Sequence, residues 1–161
     1  TSLSLQYFRR DWNSASFTLA GAVASGLGGD DDAFIPISEQ TVGTVASLEL
    51  TNLAYGELTF GIRPLDAAAV RSYRDIQTSL AGRAIYRVDT DIPVAAYGAD
   101  PTSEGRFVGT ELTARVGWRI VSDVGVSVSG GGFFPGTGSG GSFIDDRKPE
   151  YLLRLQATAS F

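Results

Sequence analysis

The sequence predicts an all-β protein of antiparallel strands, on three observations. Apolar and polar residues alternate strictly over long stretches, which places them on opposite faces of extended strands. Turns and loops rich in Gly, Asp, Asn and Pro separate these stretches. Helical spacing is missing almost everywhere, and only 65–73 could form a short helix. The 161 residues, 1–161, are expected to form a single domain.

The C-terminal stretch shows the alternation most plainly. Its odd-numbered positions are apolar, and four of its five even-numbered positions are polar. The apolar set is Tyr151, Leu153, Leu155, Ala157, Ala159 and Phe161. Soluble strands usually have about 5–6 residues, whereas this one is closer to the ~9–11 tilted residues that cross a bilayer.

The same alternation predicts eight strands in chain order. They span 2–9, 14–25, 41–50, 54–63, 75–88, 106–120, 124–134 and 150–161. A ninth, at 92–97, contains Pro93, which favours a strand start or a sheet edge. Short turns at 9–13, 51–52, 89–91 and 121–123 then alternate with long loops at 26–40, 63–74, 98–106 and 135–149. This rhythm predicts an up-and-down meander with short turns at one rim and long loops at the other.

The polarity of the two faces favours a membrane barrel over a soluble one. Charged residues are confined to one face of each strand, at Glu49, Glu57, Arg83, Arg87, Glu111, Arg115, Arg119 and Arg154. Aromatic residues lie near strand ends on the other face, at Tyr7, Trp118, Phe134, Tyr151 and Phe161. We therefore expect a transmembrane barrel of eight or nine strands, with the charges lining its lumen and the aromatics at the membrane interface. A soluble β-barrel that binds a ligand is the alternative.

The C-terminal segment 151–161 resembles the β-signal that ends bacterial outer-membrane β-barrel proteins. It has a terminal Phe161 and apolar Tyr151, Leu153 and Leu155 at alternate positions before it. In that family the barrel-assembly machinery reads the signal, which implies the same role for these four residues. Segment 105–136 also resembles the penultimate hairpins of porin-like barrels. The resemblance implies a bacterial outer-membrane location, in contact with lipid and lipopolysaccharide.

The strand count raises a question of completeness. Nine strands are an odd number, whereas single-chain bacterial barrels have even numbers. One hypothesis is that the chain is the C-terminal part of a longer barrel lacking its N-terminal strands, or that it pairs with another chain. The alternative is a complete eight-stranded barrel in which 89–106 is one long loop.

The composition excludes several function classes. Without His or Cys there is no Ser-His-Asp triad, no disulfide and no zinc ribbon. A net charge of −5 argues against nucleic acid as a partner. The acidic runs 30–32 and 145–146 lack the ligand spacing of a calcium loop. We expect no enzymatic activity, no cofactor and no metal.

Two functions remain open from the sequence. The first is a porin-like channel for small hydrophilic solutes, in which the excess of Arg over Glu on the polar faces favours anions. The second is a structural barrel whose inward charges pair across strands and fill the interior, while the long loops bind a partner.

Overall fold

The structure is a computed structural model that describes residues 2–8, 14–22, 41–49, 52–88, 90, 102–143 and 147–159. The predicted ninth strand at 92–97 and the acidic runs at 30–32 and 145–146 lie outside these residues. Phe161 lies outside them as well.

Seven strands form one antiparallel sheet in up-and-down order, which confirms the all-β prediction. The elements are β1 (Ser2–Phe8), β2 (Ser14–Ala22), β3 (Thr41–Val42), β4 (Leu48–Glu49), β5 (Leu53–Ile62), α1 (Arg71–Arg74), β6 (Gln77–Arg87), β7 (Phe107–Val121), β8 (Val124–Pro135) and β9 (Glu150–Ala159). The sheet order is β1-β2-β5-β6-β7-β8-β9, and β3 pairs only with β4. The side chains are described for five of these seven strands, β5 to β9.

The strand register separates two chemically different faces. One row across β5 to β9 consists of Phe60, Leu80, Ala114, Gly130 and Leu153. Since neighbouring residues of a strand point to opposite faces, the charged residues of the same strands lie on the other side. A slip of one residue in any strand would exchange the two sets, so the alternation in the sequence fixes which face each residue occupies.

A small core covers one end of the polar face. It consists of Val42, Ala46, Leu48, Leu53, Ile85, Val108, Phe133 and Phe143. Unbroken alternation along the predicted strand 106–120 would place Val108 on the apolar face with Leu112, and this is wrong. The register of β6 and β7 shifts between Ile85 and Tyr86, so Val108 joins the core at 0% exposure.

The predicted strand 41–50 is also wrong, because these residues form a short hairpin outside the main sheet. Thr41 and Val42 pair with Glu49 and Leu48. Between them the backbone turns through Gly43 at φ 94° and Ser47 at φ 46°, conformations that do not occur within a strand. We call residues 41–49 the inner hairpin.

The connections that lie at each end of the sheet also differ from the prediction, because 41–50 is not a strand of the main sheet. Because β2 pairs directly with β5, a single connection, 23–52, joins them. The strand ends that flank 9–13, 63–76 and 122–123 therefore lie at one end of the sheet, the turn rim, and those that flank 23–52, 88–106 and 136–149 lie at the other, the loop rim. The loop at 63–74 lies on the turn rim, contrary to expectation, and contains the four-residue α1.

The described sheet is open. Its edge strands are β1 and β9, and within the described residues no ladder joins them. In a seven-stranded meander the first and last strands run in the same direction, so a seam between β1 and β9 would be parallel.

Candidate functional site

Three predicted charged residues meet in one row across the polar face. Glu57, Arg83 and Glu111 are direct neighbours on β5, β6 and β7. Arg83 donates through Nη1 to Glu111 Oε1 at 3.1 Å and through Nη2 to Glu57 Oε2. The side chains of Arg83 and Glu57 are 18% and 20% exposed, and that of Glu111 is 1% exposed. One guanidinium thus compensates two carboxylates, and charge-assisted hydrogen bonds of this kind are the strong ones.

Glu111 also holds the inner hairpin on the polar face. Its Oε1 accepts the backbone N–H of Thr44 at 2.7 Å, and its Oε2 accepts those of Val45 at 2.9 Å and Ala46 at 3.1 Å. Successive backbone N–H groups that point to one place make a concave site for an anion. The carboxylate of Glu111 fills that site from within the chain.

Two glycines permit this close approach. A Cβ atom at Gly43 would lie 2.7 Å from Glu111 Oε2, in a backbone conformation that L side chains rarely adopt. A Cβ atom at Gly131, on β8 beneath the hairpin, would lie 2.8 Å from the carbonyl oxygen of Leu112 and 3.0 Å from Val45 Cγ2. The inner hairpin therefore packs directly against the backbone at Gly131.

The sequence pattern predicted that Arg87 lines the lumen. Its side chain instead binds a connection at the loop rim. Its side chain is 2% exposed, and Nη2 donates to the carbonyl oxygens of Gly105 at 3.0 Å and Ser103. The Ser142 hydroxyl donates to the same Gly105 carbonyl at 2.9 Å. Arg87 and Ser142 thus join β6 and two long connections at one point.

The remaining predicted arginines lie in an open groove towards the turn rim. Arg115 and Arg154 belong to one row with Ser79 and Ser129, and Arg119 lies four residues further along β7. We call the surface around these three arginines the basic groove. Its two cavities of about 250 and 300 Å³ share Arg115, Ser127 and Gln156 among their lining residues.

The basic groove is open and polar. A Cβ atom at Gly117, between Arg115 and Arg119, would meet no atom within 4 Å. Arg115 donates to Ser127 Oγ at 3.5 Å. Among the described residues, none of the three arginines forms an ion pair. The acid that lines one of the cavities is Asp75, at the turn rim.

Large apolar side chains on the other face of the sheet are exposed. Leu153 on β9 is 78% exposed, and the same face presents Leu58, Phe60, Leu80, Leu112, Val116, Val128 and Leu155. The register makes this face continuous across β5 to β9. Patches of more than a few hundred Å² are rare on monomeric soluble proteins.

Aromatic residues border the apolar face at both ends. Phe134 and Tyr151 pack edge to face with ring centres 6.3 Å apart near the loop rim. Near the turn rim, Trp118 donates to the carbonyl oxygen of Ser72 at 2.9 Å and lies 6.2 Å from the ring of Tyr73.

Two aromatic residues of the border were not predicted, and three predicted residues fall outside the described part. Tyr86 and Phe107, whose rings lie 5.3 Å apart, were missed as members of the aromatic border. The place of Tyr86 in the alternating pattern of β6 could have indicated it. The side chains of Tyr7 and Glu49, and all of Phe161, lie outside the described residues.

No family model matches the chain, and no curated protein matches it. In the described ranges, no helix combines the length and apolar character needed to span a membrane. Nor does this part of the chain bring together three His, Cys, Asp or Glu side chains that could hold a metal ion.

Proposed function

We propose that the chain forms the wall of a bacterial outer-membrane β-barrel that passes small hydrophilic solutes, as porins do. The observation that carries the proposal is the continuous, exposed apolar face of β5 to β9, opposite a face with charged and hydroxyl side chains. In water such a face would be costly, at about 25 cal/mol per Å² of apolar surface. Against lipid it is favourable.

The aromatic borders support the same orientation. Phe134 pairs with Thr110 in the register of β7 and β8, and Trp118 lies eight residues further along β7. At ~3.4 Å per residue the two borders are about 27 Å apart along the strand. In strands tilted by ~35–45°, as in outer-membrane barrels, this length spans about 19–22 Å of the bilayer, slightly less than the ~25 Å apolar band that aromatic girdles flank.

The proposal includes closure of the sheet into a barrel. Because β1 and β9 run in the same direction, an antiparallel barrel requires at least one more strand between them. We propose that a further segment or another chain supplies it. The exposed Tyr151, Leu153 and Leu155 of the edge strand β9 are then accessible to the barrel-assembly machinery, and afterwards to lipid and lipopolysaccharide.

A second function has its own supporting observation. The inner hairpin covers the polar face at the loop rim, and the hydrogen bonds of Glu111 hold it there. If its cover extends across the whole interior, the barrel is a non-conducting anchor whose long connections bind a partner. Planar bilayers distinguish the two, because a channel gives discrete conductance steps and a filled barrel stays silent at every voltage.

Reconstitution of charge variants tests the membrane orientation itself. Leu153→Arg places a charge on the apolar face, and Gln156→Arg, three residues away on the polar face, is the matched control. We expect Leu153→Arg to make folding into lipid vesicles less favourable by about 2–4 kcal/mol, and Gln156→Arg by about 1 kcal/mol or less, as for an exposed charge in water.

The vesicle-bound protein is titrated with denaturant. The folded fraction at each concentration is measured from the difference in gel mobility between heated and unheated samples. Equal costs for the two variants would show that the apolar face does not meet lipid. A protein that stays in the supernatant without detergent and shows no heat-dependent shift would also end the proposal.

A further inference from the structure

Positive and negative charges are segregated along the polar face. On β5 to β9 this face carries three carboxylates, and each has an arginine partner. Glu57 and Glu111 share Arg83, and Glu150 pairs with Arg147. All three lie in the half of the sheet next to the loop rim. The other half contains the basic groove, whose arginines form no ion pair with a described residue.

The spacing in the basic groove suits an ion larger than chloride. Arg115 and Arg154 lie two strands apart in one row, which separates their backbones by about 9–10 Å. Arginine side chains reach several ångströms from the backbone, so two guanidinium groups can converge on one ligand between these strands. Each guanidinium has a planar set of donors that matches carboxylate or phosphate with two parallel hydrogen bonds.

The rest of the lining favours a hydrated, hydroxyl-bearing solute. Ser127, Ser129 and Gln156 lie between and beside the arginines, and they can donate to or accept from hydroxyl groups. Gly117 leaves the middle of the basic groove open.

We propose that the basic groove is a binding site for small oxyanions, that is, solutes carrying a carboxylate or a phosphate. The inference rests on the proposed function only in taking these oxyanions to be among the solutes that pass. The binding site itself requires no conduction. Its test can therefore fail or succeed separately from the channel proposal.

The chain contains no cysteine, so a single introduced thiol can report the local potential. Gly117→Cys places that thiol in the basic groove, where a Cβ atom meets nothing. Ser139→Cys, in an exposed part of a loop-rim connection, is the control position. The measurement is the rate of modification of the detergent-folded full chain by an anionic and by a cationic methanethiosulfonate reagent of similar size.

With a net charge of −5, the chain as a whole favours the cationic reagent. We expect the ratio of anionic to cationic rates to be at least about tenfold higher for Gly117→Cys than for Ser139→Cys, in the range by which charged clefts raise local encounter rates. Arg115→Gln together with Arg119→Gln removes the difference. Arg106→Gln removes an exposed arginine near the loop rim, beside the control position, and leaves the ratio at the Gly117→Cys thiol unchanged.

Inorganic phosphate and citrate then identify the ligand chemistry. Slower modification of the Gly117→Cys thiol with phosphate alone assigns the site to phosphate-bearing solutes, and with citrate alone to carboxylates. Equal rate ratios at the two thiols, or no protection by either anion at millimolar concentration, would overturn the inference. Protection without conductance in a bilayer would leave the site standing and remove the channel function.

Discussion

Replacing Glu111 by Gln should release the inner hairpin while leaving the sheet in place. The carboxylate accepts four hydrogen bonds, from three backbone N–H groups of residues 44–46 and from Arg83. Gln has nearly the same shape, but its side chain has one acceptor oxygen and an NH2 group. Whichever way the amide of Glu111→Gln is turned, its NH2 group faces hydrogen-bond donors, and the hydrogen bonds on that side are lost.

The size of the effect follows from burial and charge. Glu111 is 1% exposed, so water does not readily replace a lost partner. A hydrogen bond to a charged group contributes about 1.5–3 kcal/mol, and breaking a buried ion pair costs about 3–5 kcal/mol. The contributions are not independent, since one oxygen serves two N–H groups. We therefore expect about 3–5 kcal/mol for the attachment of the hairpin, which at ~1.4 kcal/mol per tenfold is a factor between about 10² and about 4 × 10³.

Amide hydrogen exchange measures this attachment directly. In the wild type the amides of Thr44, Val45 and Ala46 are hydrogen-bonded and should be protected, and Glu111→Gln should raise their exchange rates by that factor. Glu57→Gln is the matched control, because Glu57 pairs with the same Arg83 but accepts nothing from the inner hairpin.

Should Glu111→Gln fail to fold, Gly43→Ala perturbs the same contact from the opposite side. Its Cβ atom would lie 2.7 Å from Glu111 Oε2. Unchanged exchange at 44–46 in both variants would refute the reasoning. So would an equal rise in Glu57→Gln, because the hairpin would then depend on the net charge of the row and not on the hydrogen bonds of Glu111.

Two further changes test packing around the site. Gly131→Ala should lower the free energy of unfolding by about 1–3 kcal/mol, because its Cβ atom would meet Val45 and the carbonyl of Leu112; Gly117→Ala, in open space, should change the denaturation midpoint little. Arg87→Met removes the donor to the Ser103 and Gly105 carbonyls, so limited proteolysis should cut 102–106 faster, while cleavage at 63–76 serves as an internal control that keeps its rate.

The sequence was sufficient for the sheet because its signal is repeated many times. Each of β7, β8 and β9 alternates over ten or more residues, so one misplaced residue does not change the assignment. Their observed bounds agree with the prediction to within about two residues. The meeting of Glu57, Arg83 and Glu111 in one row depends on register between strands, and the sequence placed them only on a common face.

The inner hairpin escaped prediction because its pattern is ambiguous over a short span. Val42, Thr44, Ala46 and Leu48 alternate with Gly43, Val45 and Ser47 as a strand would, yet Gly43 and Ser47 adopt positive φ. Gly43 was the available local signal, since glycine tolerates that conformation without steric cost. The anchoring role of Glu111 has no local signal at all, because its partners are 65–67 residues away in sequence.

These contacts divide the polar face into a closed half and an open half, and the division limits where function can lie. In the closed half, Glu111 is satisfied by backbone N–H groups and Arg83, so it has little capacity left for a solute. In the open half the guanidinium groups of Arg115, Arg119 and Arg154 are exposed, and the residues between them are small. If hydrophilic solutes interact with this face of the sheet, they therefore do so on the side where positive charge is in excess. The sequence shows only that Arg outnumbers Glu on the polar face. Because Arg83 and Arg87 are bound within the chain, the excess lies in the open half.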